Sequence, residues 1–161
     1  NWRSTFEFIH TSSFAPIAAL TVVMTLLYAA WLFMAQFIYV GLFGADPPVS
    51  LAAFASEVTT TRRGGALIFY GFGVGAVFAF AAFAISIFSF PLLLDKPTTL
   101  ITAVSTSIRA VTSNFGVMLI WGVIVVALLA VGAGLLLIGL AAVLPILGHA
   151  TWHLYRKVVE F

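Results

Sequence analysis

His149, His153 and Arg156 stand at i, i+4 and i+7, a spacing that puts two imidazoles and a guanidinium on one face of a helix. Such a face could hold an anionic lipid headgroup or a quinone carbonyl: Arg156 would supply charge, the imidazoles hydrogen bonds, and Trp152 an aromatic plane between them. A paired-imidazole metal site is the sharper version. The catalytic zinc helix, however, carries a glutamate beside its first histidine and takes a third ligand from elsewhere. Here Ala150 follows His149, and only His10 is left as a third imidazole. No metal and no cofactor is expected. The plainer role is a membrane-interface belt, because Trp152, Tyr155, Arg156 and Lys157 are the aromatic and basic residues that collect where a helix meets lipid headgroups.

Other polar or glycine-rich groups call for less chemistry. Gly71-Phe72-Gly73-Val74-Gly75 lacks the strand and the third-glycine spacing of a nucleotide loop. Gly71, Gly75 and Ala79 instead recur every fourth residue, a small-residue stripe that lets another helix approach closely in lipid. Asp95 and Lys96 precede Pro97 and are expected to cap the next helix, with Thr98 or Thr99 as equally good N-caps. Gln36 and Tyr39 are expected to join helices by hydrogen bonding. No nucleophile and base can be paired, so an enzyme is not expected.

The elements that position these residues follow from composition. Of 161 residues, 63% are hydrophobic and 7% charged, against roughly 45–50% apolar and about 25% charged in an average soluble domain. A water-soluble fold of this size would have to coat itself with polar groups that the chain does not possess. The class is therefore an all-α, polytopic transmembrane helix bundle. A net charge of +2, dispersed along the chain, excludes a nucleic-acid surface. Cysteine is absent, which removes disulfides, thiolate metal sites and catalytic thiols.

About 20 apolar residues cross the ~30 Å hydrocarbon core. On that ruler the chain forms one transmembrane domain over 1–161, with four spans at about 15–43, 66–90, 115–131 and 135–155. Asp46-Pro47-Pro48 ends the first span, Pro91 the second, and Gly132-Ala133-Gly134 divides the last two. Two shorter segments, about 50–60 and 98–111, are too short to span and are expected to lie in the interface. The first shows Leu51, Phe54 and Val58 on one face; the second shows Ile101, Val104, Ile108 and Val111, with serines and threonines elsewhere. Asn1-Trp2-Arg3 does not open like a signal peptide, and a preceding segment is expected.

The run Leu147-Gly148-His149-Ala150-Thr151-Trp152-His153-Leu154-Tyr155-Arg156 resembles the ending of a family of predicted bacterial integral membrane proteins of unknown function. Phe90-Pro91-Leu92-Leu93-Leu94-Asp95, Ala103 to Ala110 with Ser107 and Arg109, then Asn114 and Trp121, resemble that family's central block. The resemblance implies a multi-pass protein of the bacterial cytoplasmic (inner) membrane with about six helices, an upstream hydrophobic hairpin being missing here. It implies no activity, substrate or catalytic residue.

Transporters and channels normally carry intramembrane charge, rings of charge or broken helices. These spans hold no Asp, Glu, Lys or Arg. A secondary transporter or channel-like protein for a small solute is therefore the alternative. The expected function is a non-enzymatic accessory, scaffolding or assembly subunit, whose partners are other transmembrane subunits and membrane lipids. A respiratory or photosynthetic complex is a natural host.

Four spans put Arg3, Lys96, Arg109, Arg156 and Lys157 on one side and Arg62 and Arg63 on the other, which by the positive-inside rule makes the first side cytoplasmic. Reporters fused after Phe161 should be cytoplasmic and reporters at Ser56 periplasmic. Opposite-side placement of the two chain ends would require three crossings.

Overall fold

The structure, a computed structural model, describes residues 13–135 and 137–159. Among the described residues seven helices follow in order: α1 (Phe14–Phe43), α2 (Leu51–Thr60), α3 (Arg62–Ser86), α4 (Ser89–Asp95), α5 (Leu100–Ser113), α6 (Phe115–Gly134) and α7 (Leu140–Val159). Among the described residues no strand occurs, and the all-helical membrane class expected from composition holds. Among the described residues three stretches are long and apolar enough to cross a membrane: Phe14–Phe43, Arg62–Asp95 and Phe115–Gly134. Helix α7 has 20 residues but, with His149, His153, Arg156 and Lys157 in it, is not among them.

The chain divides into two compact units, one spanning Val22–Ala82 and the other formed by the described residues up to Thr21 together with those from Phe83 onward. In the first, Gly44 closes α1 at φ 90°, a left-handed backbone that suits glycine, and its N–H reaches the Val40 carbonyl at 2.9 Å. Ser50 caps α2 by accepting the Ala53 N–H at 3.1 Å. Tyr39 and Phe43 then meet Phe54 of α2, with ring centroids 6.0 and 6.1 Å from it. Thr61 alone separates α2 from α3. Its hydroxyl accepts the Gly64 N–H at 3.0 Å and donates to the Glu57 carbonyl at 2.7 Å. The turn is so tight that a Cβ on Gly64 would overlap the Val58 carbonyl.

The second unit is organised around a break in the apolar run between α3 and α4. In an uninterrupted helix the Phe88 N–H would bond to the Ala84 carbonyl. Instead it donates to Ser107 Oγ on α5 at 3.2 Å, and the Ser107 hydroxyl donates to the Ala84 carbonyl at 2.7 Å. A hydroxyl from another helix is thus inserted in the backbone ladder, one of the few things that bend a helix sharply. Ser89 adds a hydrogen bond to the Ile85 carbonyl. Both serines are fully buried, as are Phe88, Leu93, Val111 and Met118 of the same unit.

Two boundaries and one buried face differ from the expectation. The second apolar run does not close at Pro91. It breaks at Ile87–Phe88 and continues to Asp95, because Pro91 falls in the first turn of α4, where a missing N–H costs no intrahelical bond. The division of the last apolar stretch is not at Gly132-Ala133-Gly134: α6 runs through Gly134, and turn residues stand at Leu135 and at 137–139 before α7 begins at Leu140. There Leu137 takes φ 66°, and the glycines serve close approach, since a Cβ on Gly139 would lie 2.9 Å from Gly132 Cα. Finally, α5 buries Ala103, Ser107 and Val111, leaving Ile101 80% exposed. The expected apolar stripe is rotated because the deepest contact is polar, the Ser107 hydroxyl serving two backbone groups.

Interhelical hydrogen bonds in membrane proteins contribute about 0.6–2 kcal/mol. Ser107→Ala, which removes two such bonds, should lower unfolding free energy by about 1–2 kcal/mol, read as a reduced thermal midpoint in detergent. An unchanged midpoint would mean that α3 and α4 re-form a direct ladder at no cost.

Candidate functional site

Helix α7 is amphipathic for a visible reason. Leu147, Tyr155 and Val159 are buried, while His149, His153, Arg156 and Lys157 are exposed. The three residues at i, i+4 and i+7 therefore do share a face, and it is the outward one. His149 Nδ1 lies 2.9 Å from the Pro145 carbonyl. A carbonyl only accepts, so it is Nδ1 that donates in this contact. Trp152 is half-buried, its ring centroid 5.5 Å from that of Tyr155.

The buried side of α7 is anchored to another element. Tyr155 Oη donates to Asp95 Oδ2 at 3.0 Å, joining the last turn of α7 to the last residue of α4. Asp95 is thus a tertiary acceptor rather than a cap. Thr99 is the N-cap of α5, accepting the Thr102 N–H at 3.2 Å. The Asp95–Tyr155 pair carried no signal in the sequence, because its members lie 60 positions apart and each has an adequate local role.

Among the described residues no three His, Cys, Asp or Glu side chains gather as a metal site would require. His10 lies outside the described residues. The Gly71 to Gly75 run sits inside α3, a helical setting with no phosphate-binding loop. Apart from its chain neighbours and the adjacent backbone of its own helix, no described atom lies within 4 Å of a Cβ placed on Gly71, whereas one on Gly75 would touch Trp31 Nε1 at 3.8 Å. Gly75 and Ala79 border an apolar cavity of about 290 Å³ with Met24, Leu27, Tyr28 and Trp31. Gln36 is exposed, and the Tyr39 hydroxyl donates to the nearby Asp46 carbonyl at 3.3 Å. In α6 the Trp121 indole N–H is buried without a hydrogen-bond partner among the described residues.

Residues 1–95, more than half of the chain, match the model of a family described as predicted integral membrane protein (DUF2189). The carboxyl-terminal run 147–156 lies beyond the matched residues. No curated protein and no solved structure matches the chain.

The Tyr155–Asp95 bond should be readable by a double-mutant cycle. Tyr155→Phe and Asp95→Asn are each expected to cost about 1 kcal/mol of stability, and the double variant should cost less than their sum. Strict additivity in thermal or denaturant unfolding would show that the two side chains do not act as a pair.

Proposed function

We infer that this chain, which belongs to the DUF2189 family of predicted integral membrane proteins, is a non-enzymatic accessory, scaffolding or assembly subunit of a larger complex in the bacterial cytoplasmic membrane. The observation that carries this reading is the outer face of α3. Phe69 and Phe72 are 74% and 77% exposed beside Gly71, whose missing side chain leaves open space. Small residues next to aromatic ones suit close contact with a further transmembrane helix, because association in lipid depends on packing rather than on escape from water.

On this reading α7 makes a fourth crossing, with its aromatic and basic end at the cytoplasmic headgroups and the Gly71, Gly75 and Ala79 stripe facing a partner subunit. A Cβ added at Gly75 would meet Trp31, so Gly71 is the cleaner probe. The histidines of α7 serve the interface, and no step requires their titration.

Gly71→Leu should leave the thermal midpoint of the isolated protein unchanged, since the new side chain enters open space, while reducing recovery of the partner subunits after gentle solubilisation at least about tenfold, the effect of about 1.4 kcal/mol. His149→Gln combined with His153→Gln should preserve that recovery and leave any pH-dependent flux in reconstituted vesicles unchanged. Flux that vanishes in the histidine variant with assembly intact would replace the subunit reading by a transporter.

A further inference from the structure

Within the first unit, α2 stands between two stretches long and apolar enough to cross a membrane, one ending at Phe43 and the other beginning at Arg62. Both of its ends are tied to them. Phe54 packs against Tyr39 and Phe43 near the end of α1, and Thr61 alone separates α2 from Arg62 and Arg63, which are exposed. Guanidinium groups at the start of a spanning helix keep to headgroup depth, and so does a tyrosine near the end of one. Helix α2 is thereby held where headgroups meet hydrocarbon.

The apolar stripe of α2 is divided at this depth. Leu51, Phe54, Ala55 and Val58 share one face by their spacing. Phe54 and Val58 are half-buried by the protein itself, whereas Leu51 is 83% exposed, and Val49, just ahead of the Ser50 cap, is 100% exposed. Ser56 and Thr60 are exposed on the opposite face. The large apolar side chains left uncovered here therefore stand together at the amino-terminal end. We propose that α2 does not lie flat on the membrane: the protein holds it through Phe54 and Val58, and it inserts Val49 and Leu51 among the lipids, where glycerol gives way to acyl chain. Two inserted side chains suffice because the helix does not have to fold on the membrane. A helix of ten residues is marginal by itself in water, but this one is already fixed by Phe54 and by the tight turn at Gly64. Removing Val49 and Leu51 from water then adds its full apolar gain.

Cysteine is absent from the chain, so a single introduced thiol reports one position. Val49→Cys, Leu51→Cys and Ser56→Cys, all at exposed sites, are made singly in the full chain. Each is labelled with a polarity-sensitive fluorophore and placed in bilayer discs of phosphatidylcholine and phosphatidylglycerol. The labels of Val49→Cys and Leu51→Cys should emit to the blue of that of Ser56→Cys, be quenched by lipid carrying a doxyl group high on its acyl chain, and resist aqueous iodide. The label of Ser56→Cys should show the reverse. Should a variant fail to fold, Val49→Cys and Leu51→Cys stand in for each other and Thr60→Cys for Ser56→Cys. Iodide quenching as strong at the two apolar positions as at Ser56→Cys would overturn the proposal, and so would lipid quenching equal at all of them. Shielding of Val49→Cys and Leu51→Cys from both quenchers, as contact with a second copy or another protein would give, would overturn it as well. No partner subunit is present in this experiment, so its failure leaves the accessory-subunit reading standing, and loss of partner recovery in Gly71→Leu leaves the lipid contact standing.

Discussion

A single serine hydroxyl decides how the second unit is built. A 34-residue apolar run, Arg62–Asp95, would by propensity alone continue as one straight helix. Ser107 prevents this by standing between the Phe88 N–H and the Ala84 carbonyl, so the bend exists only while α5 is docked. The reverse holds as well: a buried serine on α5 is tolerable because both its donor and its acceptor are used. Phe88, Leu93, Val111 and Met118 of the same unit are fully buried, and at the far end of α4 Asp95 reaches Tyr155.

Much of the architecture was legible because membrane helices obey few rules. Apolar length separated long helices from short ones, and Ser50 and Thr99 sit at helix starts for the reason capping predicts. What escaped was tertiary. Pro91 reads as a terminator unless it is known that a helix begins two residues earlier. Gly132 and Gly134 read as a hinge, although Gly132 is instead a backbone contact for Gly139. The apolar stripe of α5 gave its buried face only in part, Val111 being buried and Ile101 exposed, because hydropathy assigns a serine to the outside and has no means of knowing that a broken ladder awaits it.

The candidate site shows the same division. Spacing alone placed His149, His153 and Arg156 on one face, since helical periodicity is a local property. Whether that face turned inward or outward depended on Leu147, Tyr155 and Val159 finding partners. Once Tyr155 is bound to Asp95, the imidazoles must point away from the packed interior. An outward histidine pair is poorly placed for chemistry that needs a dry, enclosed pocket, and well placed for contacts with molecules that pass along the surface.

Leu137 has a consequence for motion. It holds a left-handed backbone at φ 66° without being glycine, a conformation that costs a branched or bulky residue on the order of 1–2 kcal/mol. That strain is offset by the turn's own backbone hydrogen bonds, from the Leu137 N–H to the Ala133 carbonyl and from the Ile138 N–H to the Leu135 carbonyl, and by the close approach of Gly132 and Gly139. A connection that favours release while its flanks favour closure is where a structure opens first, below the free energy of global unfolding. The backbone amides of residues 137–140 would accordingly exchange with solvent ahead of those in the middle of α6, making this turn the natural seam along which α7 separates from the rest of its unit.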